Sequence, residues 1–172
     1  MSRLVFIDET GLNTKMGRLY GRSPIGQRCV DSMPHGHWST SSFIAALRHD
    51  RITAPFLLDG PMNGEAFLAY VQDALARELH PGDIVVCDNL SVHKVKGVRE
   101  AIERCGAQLL YLPAYSPDLN PIEMAFAKLK AHLRQAAQRT SEGLLSATAH
   151  ALETFTSVHC RNFFLHARYR YV

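Results

Sequence analysis

Three runs of four apolar residues constrain this chain more than any other feature: Leu4-Val5-Phe6-Ile7, Ile84-Val85-Val86-Cys87 and Leu109-Leu110-Tyr111-Leu112. Each is too short for a helix and rich in strand formers, so each predicts a central strand buried on both faces. Pro81-Gly82 marks a turn before the second run, and Pro113 stops the third. Such strands need cover above and below. A chain of 172 residues can provide it, because a domain of this size buries about 70% of its unfolded surface.

Between residues 12 and 60 no helical stripe is visible, and Gly17, Gly21, Pro24, Gly26, Pro34 and Gly36 punctuate the chain. Segments 41–48 and 51–58 read as a hairpin around His49-Asp50, although SSFIAALR also has the makings of a short helix. From Asn63, a candidate cap, the period changes to that of a helix with Phe67, Tyr70, Val71, Ala74 and Leu75 on one face. Residues 94–105 repeat the pattern with Val95, Val98, Ile102 and Cys105, and residues 121–138 with Ile122, Phe126, Leu129 and Leu133. Two further helices are expected at 141–156 and 158–168. The order is an α/β chain with a mixed sheet of five strands and helices on its faces, opening with a meander. Residues 1–172 read as one domain.

Two of the apolar runs end directly in an acid, Asp8 and Asp88. Neighbouring strands lie about 4.8 Å apart, so if the two pair in register their carboxylates emerge side by side. Carboxylates that close repel unless a cation or a shared proton compensates. Oxygen donors without His or Cys suit magnesium or manganese. Either acid alone is as readily a turn former. Glu9 competes with Asp8 for the inward position, and alternation favours Asp8. A third acid, Glu123, lies in Asn120-Pro121-Ile122-Glu123. This is a helix start with Asn120 as cap and Pro121 first, in which Glu123 either completes a capping box or is aimed at the strand ends. Lys130 and Arg134 share a helical stripe with Glu123.

Composition narrows the class. Nineteen Lys+Arg against sixteen Asp+Glu leave a formal charge of +3, too small to require a polyanionic partner. The basic residues nevertheless cluster in acid-free stretches: Lys15, Arg18, Arg22 and Arg28; Lys128, Lys130, Arg134 and Arg139; Arg161, Arg168 and Arg170. Each stretch alone is more often a solvated face than a binding site, but three of them in a nearly balanced chain raise the odds of a phosphate-rich partner. No apolar run approaches the ~20 residues of a membrane span. Cys29, Cys87, Cys105 and Cys160 lack metal or disulfide spacing. His35 and His37 have no second ligand pair for zinc. A protein of the cytoplasm with no membrane association is expected.

FIDET near the start, VVCDNLSVHK in the middle and LPAYSPDLNPIEMAFAKLK later resemble the catalytic domain of DDE transposases, most closely the bacterial insertion-sequence branch related to mariner elements. Thirty-four residues separate Asp88 from Glu123, similar to that branch's spacing, and the likeness runs from about Leu4 to the tail. The resemblance implies a ribonuclease H-like fold, two divalent ions (Mg2+ or Mn2+), and cutting and joining of DNA at element ends, in a nucleoid-associated protein. It places Asp8, Asp88 and Glu123 at the catalytic and metal-ligand positions and gives Asn89 and His93 positioning roles. Lys130 matches the family's lysine in the same helix; with Lys128 and Arg134 it forms the expected DNA-binding set. Full-length relatives begin with a helix-turn-helix region, whereas this chain begins at the first catalytic strand. It then reads as the second part of a split transposase, partnered by a separately encoded helix-turn-helix half, as an isolated domain, or as a degraded copy. A homodimer in a paired-end complex is expected from the same resemblance.

The leading reading is therefore two-metal phosphoryl transfer on DNA. Its rivals are a non-catalytic DNA-binding remnant or regulator and a structure-specific nuclease of the same fold.

Overall fold

The computed structural model describes residues 2–18, 20–30 and 37–170; His35, Pro34 and Gly36 lie outside them. Five strands, β1 (Leu4–Asn13), β2 (Thr40–Leu47), β3 (Ile52–Asp59), β4 (Ile84–Cys87) and β5 (Gln108–Tyr111), form one sheet of order β3-β2-β1-β4-β5. The β1–β2 and β2–β3 pairs are antiparallel, and β1–β4 and β4–β5 are parallel. The helices are α1 (Gly64–Asp73), α2 (Val98–Arg104), α3 (Ile122–Ala136), α4 (Ser141–Glu153) and α5 (Ser157–His166). None is long and apolar enough to cross a membrane among the described residues.

Segment 41–48 is a strand and not a helix. β2 lies between β1 and β3 and is buried along all but its first residue, an environment that a one-faced helix could not fill. β1 corrects the sequence reading. It continues well past Ile7 because β2 pairs with it from Phe6 to Asn13, so Asp8 sits inside a strand instead of following one. The parallel partner β4 is shorter, and pairing on that side runs only from Leu4–Ile84 to Phe6–Val86. α2 also begins later than residue 94. Ser91–Lys94 forms a single 3-10 turn, and Gly97, at φ +99°, breaks the chain direction before Val98. Asn63 caps α1 as expected, its side chain accepting from the Ala66 N–H at 2.9 Å.

Alternation along β1 divides the core in two. Val5 and Ile7 pack with Ile44, Val85 and the α1–α2 residues Phe67, Tyr70, Val71 and Ile102. Phe6 faces the other way, with Phe43, Leu47, Val86, the α3 stripe Ile122, Phe126, Leu129 and Leu133, and Phe164 of α5. Phe6 meets Phe164 edge to face at 5.4 Å, and Phe43 meets Phe126 at 6.0 Å. The same alternation sends Asp8 to the α3 face and Glu9 to the α1 face.

At the end of the sheet where the parallel strands begin, Arg48 after β2 pairs with Asp83 before β4. The Nη2–Oδ2 distance is 2.5 Å and both side chains are 5% exposed. Arg48 also donates to the Glu78 carbonyl at 2.7 Å, and the His80 N–H donates to Asp83 at 2.8 Å. Burial alone would raise the Asp83 carboxyl, but the bonds from Arg48 and His80 hold it below its ordinary value. Its contribution is therefore present above about pH 4 and is lost as pH falls through the lowered value. Asp83→Ala strands a buried guanidinium and is expected to cost about 3–5 kcal/mol in urea unfolding at pH 7. A loss under 1 kcal/mol would show that the pair does not bind the two halves of the sheet together.

Candidate active site

The register of β1 against β4, continued past Phe6–Val86, brings Asp8 beside Asp88 where β4 ends. Glu123 comes from the second residue of α3. All three line one open cleft of about 330 Å³, together with Asn89, Asn120 and the loop from Leu112 to Pro117. Asp8 is 6% exposed, Asp88 is partly exposed and Glu123 is exposed. No Lys or Arg is among the lining residues.

That arrangement carries an electrostatic penalty. Burial, followed by the charges of Glu9, Glu123 and Asp88, pushes the Asp8 carboxyl up to about 7 against the opposing bond from the Glu9 N–H. Both Asp8 oxygens accept a hydrogen bond: Oδ1 from the Glu9 N–H at 2.8 Å and Oδ2 from the Asn120 side-chain amide at 2.7 Å. Asn120 is therefore not the helix cap that the sequence predicts. The cap position falls to Pro121, and Asn120 turns its side chain into the cleft wall. Among the described residues the Glu123 carboxylate closes no capping box, which leaves it open to the cleft.

Asp88 accepts from the Leu90 N–H at 3.1 Å. His93, fully buried in the 3-10 turn that follows, stands between two acids. Its Nε2 is 2.8 Å from Glu9 Oε2 and its Nδ1 is 2.5 Å from Asp88 Oδ1. The ring lies over Phe67 with centroids 4.3 Å apart. Burial lowers the affinity of His93 for a proton, but Glu9 and Asp88 outweigh it and the net shift is upward. Glu9 thus enters the site from the opposite face of β1, through His93. Asn89 lines the cleft.

The basic residues of α3 separate. Lys130 and Arg134 share the Glu123 flank and show no hydrogen-bond or ion-pair partner among the described residues. Lys128 points the other way, to the α4–α5 corner. Its ammonium meets His159 Nδ1 at 2.8 Å, the Thr154 carbonyl at 3.4 Å and the Phe155 ring at 4.6 Å. Arg139 is likewise committed, donating to the carbonyls of Thr14 and Met16.

The donor set is all oxygen and uncompensated, which fits a hard divalent cation. Among the described residues, no three metal-binding side chains stand close enough to grip one ion as they are placed. The carboxylates share a cleft without closing on a single centre.

A mixed sheet of this order, with acids on adjacent strands and a third at a helix start, defines a ribonuclease H-like fold with a carboxylate-lined cleft. More narrowly, residues 3–144 match the family model of the DDE superfamily endonucleases, and the chain belongs to that family. The fold is that of the Mos1 mariner transposase. The chain superposes on the Mos1 strand transfer complex with a TM-score of 0.76 at 22% identity, covering 98% of this chain and 53% of that one. For the Mos1 catalytic domain the TM-score is 0.72 at 18% identity, with coverages of 98% and 79%. For that domain with raltegravir and Mg the values are 0.68, 17%, 98% and 80%. The chain thus spans about half the length of the Mos1 chain in the strand transfer complex. A comparison with curated protein sequences gives no match.

The raised Asp8 carboxyl makes a stability prediction for the metal-free protein. The unfolded chain ionises Asp8 near about 3.9, whereas the folded chain ionises it at about 7. Between these values only the folded state still holds the proton, so stability falls as pH rises and the loss is complete above about 7. Asp8→Asn removes this penalty, and a flip of the Asn120 amide keeps the pair hydrogen-bonded. In chelator at pH 8 the variant is expected to melt higher than the parent, with the difference shrinking towards pH 4. Equal melting temperatures across that range would refute the assignment.

Proposed function

We propose that this chain is the catalytic part of a transposase of the insertion-sequence type, which cleaves DNA at element ends and joins the freed strand to a target. The observation that carries the reading is the convergence of Asp8, Asp88 and Glu123, from β1, β4 and α3, on one cleft that contains no cation of its own. Asp8, Asp88 and Glu123 would hold two magnesium or manganese ions, which when bound activate the attacking oxygen and stabilise the leaving one. Mg accompanies the Mos1 catalytic domain named above, and the negative cleft described here has the chemistry to take the same ion.

The reaction is a pair of displacements at phosphorus. Water first breaks a phosphodiester to leave a 3′-hydroxyl, and that hydroxyl then attacks a target phosphodiester. Neither step needs a protein nucleophile, and the cleft offers carboxylates in place of an activated serine or tyrosine. His93 holds Asp88 and Glu9 in place, and Asn89 borders the space where the scissile phosphate would lie. Lys130 and Arg134, about two and three turns along the Glu123 flank, take backbone phosphates of the bound strand. Lys128, engaged at the α4–α5 corner, does not. Recognition of element ends would call on a helix-turn-helix region, and two copies of the chain act in a paired-end complex. Such a protein works on the nucleoid, in the cytoplasm.

Nicking of a supercoiled plasmid carrying element ends, in Mg2+ or Mn2+, tests the chemistry. Asp88→Ala and Glu123→Ala are each expected to reduce the rate by about 10²–10³-fold or more while leaving DNA binding in chelator intact. Binding without breakage by the parent chain under any metal would favour a DNA-binding remnant. Unchanged cleavage by Asp88→Ala would remove the assignment of the site.

The α3 residues are tested by the salt dependence of DNA binding. Each phosphate contact contributes a slope of about −0.9 to log K against log salt. Lys130→Ala and Arg134→Ala are each expected to flatten the slope by about one unit, whereas Lys128→Ala leaves it unchanged. The reverse pattern would show that the strand crosses the other flank of the helix.

A further inference from the structure

We propose that Asn120 is a positioning residue for phosphoryl transfer, clamping Asp8 with an uncharged donor so that the carboxylate keeps a free lone pair on each oxygen for a cation. The inference rests on the reading of Asp8 as a cation ligand. Asn120 is 4% exposed, and its amide meets Asp8 Oδ2 at 2.7 Å. The amide turns its nitrogen to Asp8, the orientation that an ionised carboxylate, which can only accept, requires. Asp8 Oδ1 is held independently by the Glu9 N–H. Each oxygen then has one acceptor site used and one remaining.

The other end of the amide shows where its value lies. Asn120 Oδ1 is buried and has no hydrogen-bond partner, an arrangement that costs about 1–3 kcal/mol. An apolar side chain of similar shape would avoid that cost, so the residue is placed for its donor and not for its own satisfaction. The segment behind it is held by hydrogen bonds at several points. The Asn120 N–H donates to the Pro117 carbonyl at 2.9 Å, Pro121 follows, and the Tyr169 hydroxyl braces the Leu119 carbonyl at 2.9 Å. The Glu123 N–H donates to the Asn120 carbonyl at 3.3 Å, so the segment that fixes Asp8 also aims the third acid. A neutral donor suits the position. Lys or Arg there would neutralise Asp8 and compete with the cation, and an acid would add to the repulsion.

The test is Mn2+ binding to the DNA-free 172-residue chain, followed by electron paramagnetic resonance, with melting temperature and plasmid nicking measured alongside. Asn120→Ala, and the nearly isosteric Asn120→Leu, are expected to weaken Mn2+ binding by about 10–100-fold, the usual effect of losing a group that orients a metal ligand. Nicking should fall in step at low Mn2+ and recover in part at high Mn2+. A purely structural role would lower the melting temperature and leave the Mn2+ affinity of the folded protein unchanged. Parental affinity in either folded variant, or failure of both to fold, overturns the proposal. Asp8→Ala separates this from the parent reading. If it binds Mn2+ as the parent does, the cation site itself is misassigned; if it loses binding while Asn120→Leu does not, only the role of Asn120 falls.

Discussion

The pairing of β1 with β4 is the constraint on which the rest of this structure depends. Two strands that are distant in sequence run parallel with Leu4 opposite Ile84 and Phe6 opposite Val86, and a shift of one residue would turn every side chain of β4 to the wrong face. The register is fixed from both sides, because Val5, Ile7 and Val85 belong to one core and Phe6 and Val86 to the other. Arg48 and Asp83 pin it at the end where β4 begins. With the strands held there, the acids that follow the apolar residues have little freedom, and Asp8 and Asp88 share the opposite end.

The result is a cluster that a protein selected only for stability would avoid. A carboxyl raised from its ordinary value to about 7 corresponds to about 4 kcal/mol, a large part of the 5–15 kcal/mol by which domains are usually stable. The chain offsets some of it with polar contacts that carry no net positive charge: the Glu9 N–H and Asn120 amide on Asp8, and the Leu90 N–H on Asp88. His93 is the exception. Wedged between Glu9 and Asp88, it presents one ring nitrogen to an acid of β1 and the other to the acid that follows β4, and so joins the two strands at the cleft.

Much of this is legible in the residues. The three apolar runs, the hairpin, the five helices and the three acids are recoverable because burial on both faces and helical period leave strong local patterns. What is lost depends on partners distant in sequence. The second half of β1, TGLN, has the composition of a turn and is a strand only because β2 lies beside it. Asn120-Pro-Ile-Glu123 carries the local signature of a capping box, and nothing nearby says that a buried acceptor 112 residues away takes the amide instead. The displacement of Lys128 was readable: five residues beyond Glu123 is about 140° round a helix, which puts it on the far flank from Lys130 and Arg134. Glu9 was readable in part, since alternation sends it away from Asp8, but its link to the site passes through His93 and is purely tertiary.

The charge left over at the cleft bears on what it can take. α3 directs its N-terminus, with the partial positive charge of its unpaired N–H groups, towards the carboxylates, and the neutral donors add to it, yet Asp8 remains far above its ordinary value. A Lys or Arg among the lining residues would have removed the strain, and there is none. Basic side chains are available nearby on α3, but Lys130 and Arg134 follow the Glu123 flank without an ion-pair partner among the described residues, and Lys128 and Arg139 are tied elsewhere. No basic side chain of the lining therefore compensates the carboxylates. Asp8, Asp88 and Glu123 would hold a compact divalent ion, which would supply the positive charge that the lining residues lack. The stability given up at Asp8 is then a consequence of keeping that place open.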